Sequence, residues 1–170
     1  AVRMLTVALQ RDVPMVVDAD ALNLIALSAE LETLMQRRTA GTIITPHPAE
    51  AARLLGCSTA DVQRDRQRAA RDLAKGYRCV AVLKGAGTVV CDSANDVALS
   101  INRTGNALLA TAGTGDVLAG MMGALLAQGF DAPTAARLGV CMHGAAADEL
   151  AAGSLKRIVA SDLFGPLARL

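Results

Sequence analysis

A glycine-rich stretch at 112–116, Ala-Gly-Thr-Gly-Asp, is the strongest candidate for chemistry in this sequence. It directly precedes a helix that we predict over 116–128, so the glycines allow a tight turn and the first N–H groups of the helix point outward. Such N–H groups can stabilise a phosphoryl group in transit, and Asp116 beside them can accept a proton from an attacking hydroxyl. The predicted anion hole consists of the backbone N–H groups of Ala112, Gly113, Thr114 and Gly115. We call residues 112–116 the anion loop.

Two better-known phosphate loops do not fit this stretch. No Gly-Lys-Ser/Thr follows it, so it is not a Walker loop, and its third glycine is wrongly spaced for a dinucleotide fingerprint. The alternative interpretation is that Asp116 is a helix N-cap and that the glycines serve only the turn.

A second candidate is the segment Thr45-Pro-His-Pro-Ala-Glu50 at the end of a predicted buried strand. Ligands of open α/β sheets lie beyond the carboxyl ends of the strands. His47, held between two prolines, is a candidate ligand contact, and Glu50 is a candidate outer-shell Mg²⁺ residue. The alternative is a structural loop in which Glu50 is favourable at a helix N-terminus.

Further candidates lie at the ends of other predicted strands. Lys84 ends one of them, and the glycines that follow would let backbone approach a nucleotide closely, although a hairpin turn explains the stretch nearly as well. Asp18 and Asp20 follow another strand and either lie near the same crevice or cap a helix. His143 is interpreted as a packing residue within a helix rich in small residues.

The elements that must position these residues alternate between strands and helices. Short apolar runs predict strands at 13–17, 42–45, 79–83, 88–91 and 97–101. Helices are predicted from about 18, at 28–38, 49–55, 58–75, 116–128 and 131–151. Ser28 is predicted to cap the second of them, Ser58 to form a capping box with Asp61 in the fourth, and Ser161 to cap a last helix. Gly56 and Gly76 are expected to end the third and fourth of them. The pattern predicts one α/β domain over 1–170 with a mostly parallel sheet and an antiparallel edge hairpin at 79–101.

Composition excludes several classes of protein. Hydrophobic residues make up 52% of the chain, and the net charge of +1 comes from interspersed acidic and basic residues. The basic stretch 64–78 is interpreted as a solvated helix face, and the apolar stretch 117–127 is too short for a membrane span. We therefore expect a cytoplasmic protein without a nucleic-acid or membrane partner. The four cysteines lack C-x-x-C spacing and are interpreted as reduced core thiols.

Five motifs together resemble one family, the NAD(P)H-hydrate dehydratases of the ribokinase-like superfamily. The motifs are VVDADALN at 16–23, TPHPAEAARLLG at 45–56, VLKGAGT at 82–88, NRTGN at 102–106 and AGTGDVLAG at 112–120. The resemblance covers nearly the whole chain and implies a three-layer sandwich. It also implies that the N-terminal strands of the family domain are missing here. Ala49 and residues 107–109 depart from the family pattern, which has Gly and Pro-Gly-Met.

The resemblance implies ADP-dependent dehydration of hydrated NADH or NADPH, with release of AMP and phosphate and with Mg²⁺ as cofactor. Asp116 would be the catalytic base, and His47 and Asp116 would contact the hydrated cofactor. Glu50 would belong to the water shell of Mg²⁺. A fused N-terminal epimerase domain and a homo-oligomer are also implied, the latter favoured by the small residues at 139–147. The nucleotide would be bound by Lys84, Gly85, Ala86, Gly87, Thr88 and Gly115.

Two rival functions share part of this pattern. A small-molecule kinase such as hydroxyethylthiazole kinase has the same anion loop and Asp, but such kinases more often have Asn first in the motif that starts here with His47. A non-catalytic nucleotide-binding fragment is the second rival, favoured by the missing strands.

Overall fold

Five strands form one mixed sheet in the computed structural model, which describes residues 1–94, 99–153 and 155–170. Their spatial order is the order of the chain, with β1, β2 and β3 parallel and β4 and β5 antiparallel to their neighbours. The α/β class and the antiparallel edge hairpin are therefore confirmed. The strands are β1 (Met15–Val17), β2 (Thr42–Ile44), β3 (Val80–Leu83), β4 (Val89–Asp92) and β5 (Leu99–Ile101).

Helices precede β1, connect β1 to β2 and β2 to β3, and follow β5. The described residues also form two short 3₁₀ turns, at Ala107–Leu109 and Ala160–Leu163. The α-helices are α1 (Val2–Leu9), α2 (Asp20–Ala26), α3 (Ala29–Gln36), α4 (Pro48–Leu55), α5 (Thr59–Arg64), α6 (Arg66–Tyr77), α7 (Thr114–Ala127), α8 (Ala132–Ala152) and α9 (Phe164–Leu167).

The sheet is buried on both faces, which gives three layers. Alternate residues of β3 point to opposite sides: Ala81 and Leu83 pack with α1 to α6, whereas Val80 and Val82 pack with α7 and α8. Continuous apolar strands are typical of a parallel sheet covered by helices on both faces. The predicted three-layer sandwich is confirmed.

Several helix ends follow the predicted capping chemistry. The Ser28 hydroxyl accepts a bond from the Leu31 N–H, and Ser58 and Asp61 form a reciprocal capping box. Gly56 ends α4 in the left-handed region at φ 63°. Positions 97 and 98 of the last predicted strand and part of the predicted turn at 92–96 lie outside the described residues.

Three predicted helix boundaries are wrong. The helix expected over 58–75 is two helices, because Asp65 leaves the helical region (φ −144°, ψ 81°) and caps α6 by accepting from the Arg68 N–H. Gly76 does not end that helix, which continues to Tyr77 before Arg78 takes the left-handed conformation. Ser161 is not a cap, since it lies inside the 3₁₀ turn that begins at Ala160.

Small residues of α8 let it approach the rest of its own chain. A Cβ added to Gly139 would lie 2.8 Å from Cγ of Met122, and one added to Gly144 would lie 2.2 Å from Oγ1 of Thr104. Gly139 and Gly144 therefore serve packing within the chain.

The cysteines divide into two pairs. Cys79 and Cys91 are buried, as expected of core thiols, but Cys57 and Cys141 are exposed. Burial raises the pKa of the Cys79 thiol far above its usual value, so this thiol stays protonated and unreactive.

Candidate functional site

The carboxyl ends of β1, β2 and β3 lie side by side because these strands are parallel neighbours. The N–H of Thr45 donates to the carbonyl of Val17 at 3.2 Å, and the N–H of Lys84 donates to the carbonyl of Pro46 at 2.9 Å. The predicted loops after β2 and β3 therefore meet at one edge of the sheet, together with Asp18 after β1.

His47 is the N-cap of α4, and its imidazole is fixed by two hydrogen bonds. Nδ1 accepts from the N–H of Ala49 at 3.1 Å and from the N–H of Glu50 at 3.2 Å. Because Nδ1 is an acceptor, the proton of the neutral ring is on Nε2. The side chain is nevertheless 48% exposed, so the ring can contact a ligand without leaving its cap.

Glu50 bonds back to His47, so that the two residues form a reciprocal capping box at the start of α4. Its Oε2 accepts from the His47 N–H at 2.8 Å, and its Oε1 lies 3.4 Å from Nε2 of His47. The side chain is only 6% exposed. This supports the interpretation of Glu50 as a helix-stabilising residue and leaves it able to meet a cation only through water.

The loop from Lys84 to Thr88 is a tight turn with two glycines at positive φ, 135° for Gly85 and 64° for Gly87. Arg66 holds this loop from α6, since its guanidinium donates to the carbonyls of Leu83 at 3.0 Å and Lys84 at 3.3 Å. Burial lowers the pKa of Arg66. The interpretation of 64–78 as a wholly solvated face missed this contact, and only a residue's place in three dimensions reveals it.

Lys84 also forms an ion pair with Asp18. Its Nζ lies 2.8 Å from Oδ1 of Asp18, and the two side chains are 21% and 13% exposed. The same Nζ is close to the anion loop, because a Cβ added to Gly115 would lie 3.6 Å from it. Asp18 therefore lies beside Lys84 at the carboxyl edge of the sheet, whereas Asp20 is exposed and begins α2.

The anion loop leads into α7 two residues earlier than predicted. Gly113 is the N-cap at φ 86°, Thr114 is the first helical residue, and Asp116 lies exposed in the first turn. The alternative that Asp116 is the N-cap is therefore wrong. Its carboxylate is free to face a ligand.

Thr114 is turned into the protein. Its hydroxyl donates to the carbonyls of Leu109 and Thr111, both at 2.8 Å, and its N–H donates to Thr111 at 3.3 Å. Among the described residues, the N–H groups of Ala112, Gly113, Gly115 and Asp116 have no protein acceptor. The N–H group of Thr114, a predicted member of the anion hole, is therefore occupied, and the neighbouring N–H groups are the ones open to an anion.

Helix α8 fixes the loop that leads to this turn. Asp148 accepts from the N–H of Gly105 at 2.8 Å and from Nδ2 of Asn106 at 2.9 Å. The hydroxyl of Thr104 donates to the carbonyl of Cys141 at 2.9 Å. Asp148 lies outside all five motifs, so no local pattern indicates its role in holding residues 102–106.

His143 has a more specific place than the predicted packing role. It is 6% exposed, and its Nε2 lies 2.9 Å from the carbonyl oxygen of Thr114. Burial lowers the pKa of the imidazole, an effect partly offset by this hydrogen bond.

The acidic side chains of the site do not form a metal cage. Within 1–94, 99–153 and 155–170, no three His, Cys, Asp or Glu residues are arranged to hold an ion. Mg²⁺ usually keeps several waters and binds through one or two carboxylates plus substrate phosphates, so this donor set fits an ion that arrives with a nucleotide.

Membrane insertion has no support among the helices. None of those in the described part of the chain is both long enough and apolar enough to cross a bilayer.

Known proteins resemble this chain over nearly its whole length. The sequence profile of the NAD(P)H-hydrate dehydratase family matches residues 1–167. A bifunctional NAD(P)H-hydrate repair enzyme of Escherichia coli is 49% identical over 158 residues, which is 92% of this chain and 29% of that protein. An ADP-dependent (S)-NAD(P)H-hydrate dehydratase of Neisseria meningitidis is 47% identical over 93% of this chain and 53% of its own length.

Solved structures agree with these relatives. The ADP/ATP-dependent NAD(P)H-hydrate dehydratase of Bacillus subtilis, co-crystallised with ATP and Mg²⁺, has a TM-score of 0.79 and 33% identity, covering 95% of this chain and 55% of that one. Hydroxyethylthiazole kinase of Pyrococcus horikoshii, at 20% identity, covers 99% of this chain and 65% of its own with a TM-score of 0.72, and shares the fold alone. The chain spans about half or less of the length of the curated relatives it matches. It belongs to the NAD(P)H-hydrate dehydratase family.

Proposed function

We propose that this chain carries the phosphoryl-transfer site of an ADP-dependent NAD(P)H-hydrate dehydratase. The observation that carries the proposal is the place of the Lys84 ammonium. It lies beside Gly115, in the first turn of the helix that also bears the exposed Asp116. A cation thus lies beside open backbone N–H groups in the helix turn that carries a carboxylate, and these three kinds of group serve phosphoryl transfer from a nucleotide to a hydroxyl.

The first step transfers a phosphoryl group from ADP to the hydrate. The hydroxyl oxygen of the hydrated nicotinamide attacks the β-phosphorus, the bond from that phosphorus to the bridging oxygen of AMP breaks, and Asp116 accepts the hydroxyl proton. The N–H groups of the anion loop stabilise the charge on the transferred group. Lys84 binds oxygens of the transferred phosphoryl group and of the nucleotide phosphate that departs, and His47 contacts the hydrated ring.

The second step removes the phosphate. Phosphate is a better leaving group than hydroxide, so the C–O bond breaks with electron donation from the ring nitrogen. Loss of a proton from the neighbouring carbon restores NADH or NADPH. The protein's part in this step is to hold the ring and to exclude water.

Mg²⁺ would accompany the nucleotide, where it neutralises charge on the phosphates. Glu50 is the candidate for its water shell, because both carboxylate oxygens already face His47 and a direct metal bond would break the cap of α4. The adenine nucleotide would be bound by the loop of residues 84–88, in which Gly85 and Gly87 allow the backbone to approach it closely.

The decisive experiment compares two acceptors with a control that contains none. The protein with ADP and Mg²⁺ is given hydrated NADH, hydroxyethylthiazole or no acceptor, and release of phosphate and AMP is measured with the return of NADH absorbance. Phosphate release with hydrated NADH alone is the expected result. A phosphorylated thiazole would favour the kinase. Nucleotide binding without turnover of either acceptor would favour the non-catalytic nucleotide-binding fragment.

Assembly and location follow as part of the same proposal. The apolar side chains exposed on α1 and before β1, Val2, Met4 and Val13, favour a homo-oligomer, which light scattering would detect. A fused epimerase domain would match the bifunctional relatives. A substrate formed from NADH and NADPH favours the cytoplasm.

A further inference from the structure

The carboxylate of Asp18 and the ammonium of Lys84 join two strands that do not touch each other. Asp18 follows β1 and Lys84 follows β3, with β2 between them. Their side chains meet at 2.8 Å over the carboxyl end of β2, and both are largely shielded from water. Partial burial strengthens such a pair relative to a solvated one, because water screens it less.

This ion pair fixes the position of a side chain that is otherwise flexible. A lysine carries its charge on a four-carbon stem with several rotatable bonds. The Lys84 backbone is already fixed through its N–H bond to Pro46 and the Arg66 contact with its carbonyl. The bond to Asp18 then determines where the ammonium lies, which is next to Gly115.

We propose that Asp18 is a positioning residue for the transferred phosphoryl group: it holds the Lys84 ammonium at the first turn of α7. This inference rests on the proposed function. An ammonium has three donors, so one can remain on Asp18 while the others meet phosphate oxygens. Asp18 itself touches neither the nucleotide nor the hydrate.

Because Asp18 is negatively charged, we expect its removal to affect kcat and ADP affinity differently. A carboxylate near the phosphates opposes nucleotide binding by Coulomb repulsion, which offsets what Asp18 gains by placing Lys84, so we expect Asp18 to have little net effect on affinity for ADP. Its contribution is geometric and is made during group transfer, where misplacement of a catalytic group by about 1 Å costs on the order of 10²-fold in rate. Removal of its charge should therefore lower kcat without weakening ADP binding.

The test uses Asp18→Asn, with Asp20→Asn as the matched control because Asp20 is an exposed Asp two positions away. Asp18→Asn is expected to lower kcat by about tenfold or more, while the Kd for ADP stays within about threefold of wild type or falls. Asp20→Asn should change neither. Combining Asp18→Asn with Lys84→Met should lower kcat no further than Lys84→Met alone, because Asp18 acts through Lys84.

A second measurement does not depend on activity. Acetylation of Lys84 by a small reagent, followed by mass spectrometry, should be slow in wild type relative to the exposed Lys75. It should become several-fold faster in Asp18→Asn and stay slow in Asp20→Asn. If wild type binds ADP but does not turn over hydrated NADH, the proposed function fails while this labelling still decides whether Asp18 holds Lys84.

Three results would overturn the inference. One is unchanged labelling of Lys84 in Asp18→Asn. Another is a wild-type kcat in that variant. The last is a joint loss of kcat, ADP affinity and thermal stability, which would make Asp18 a structural tie between strand ends.

Discussion

Nε2 of His143 and the carbonyl oxygen of Thr114 lie 2.9 Å apart, which joins the middle of α8 to the first turn of α7. A carbonyl can only accept, so Nε2 carries the proton. The hydroxyl of Thr114 is also bound, to Leu109 and Thr111. The turn that presents the open N–H groups is thus held from inside the protein.

We predict that the protein loses stability in mild acid because the imidazole of His143 is buried. Burial lowers the pKa of its imidazole, so below the usual value of 6.5 the unfolded chain binds a proton that the folded chain resists. Stability is therefore fully present above that value and falls as the pH drops toward the lower, folded pKa. Thermal melts at about pH 7.5 and about pH 5 should show this fall in wild type. His143→Gln should show a smaller one; an equal fall in both proteins would contradict the prediction.

We predict that a side chain at Gly144 would clash with the chain around Thr104 and lower the stability of the protein. The Cβ of Gly144→Ala would lie 2.6 Å from the backbone carbon of Thr104, and the backbone cannot rotate away as a side chain can. Overpacking of this kind costs roughly 1–3 kcal/mol, measured as a lower midpoint of urea unfolding. Gly76→Ala is the matched control, since a Cβ there meets nothing within 4 Å and α6 should gain. Equal midpoints for the two variants would refute the close approach.

The strand-end loops could be predicted from sequence because each depends on a local pattern. The apolar runs before Asp18, Thr45 and Lys84 indicate buried strands, and the carboxyl ends of parallel strands meet at one edge. That rule is what makes His47 and Lys84 candidates for ligand contact. The capping residues Ser28 and Ser58 were likewise readable, since a cap acts within three residues.

The contacts that orient the site could not be predicted, because they join distant residues. Asp18 and Lys84 are 66 positions apart, and Asp148 reaches 43 positions back to Gly105. The break at Asp65 was missed for a related reason. No Pro or Gly marks it, and the following Arg66 is held by carbonyls of β3 and its loop, a tertiary contact that overrides local helix propensity.

We predict that the phenol of Tyr77 ionises only at unusually high pH, which can be observed directly. Burial, with smaller effects from the charges of Glu32 and Cys79, raises the pKa of the phenol from 10.0 to about 12. Its hydroxyl also donates to the carbonyl of Leu54 at 3.0 Å. The chain has one Tyr and no Trp, so tyrosinate absorbance reports this group alone.

In that titration the folded protein should ionise near the raised value and the urea-unfolded chain near the ordinary one. The sign for stability follows: between these two values the unfolded chain loses a proton that the folded chain keeps, so stability falls as the pH rises. Tyr77→Phe should lose about 1 kcal/mol at neutral pH with its hydrogen bond and show a flatter alkaline fall. Folded-state ionisation near 10 would place the phenol in water instead.

Asp116 carries the prediction that bears most directly on the chemistry. Its exposed carboxylate in the first turn of α7 is placed to accept a proton, whereas the nucleotide would be held by Lys84 and backbone N–H groups. Asp116→Asn should therefore lower kcat by ~10²–10⁴, the range for a lost general base, and leave ADP affinity within a few-fold. The control is Asp72→Asn, the same charge change on the exposed surface of α6, which should leave kcat intact. Near-normal turnover by Asp116→Asn would remove this residue from the mechanism. A matching loss of ADP affinity would instead make it a nucleotide contact.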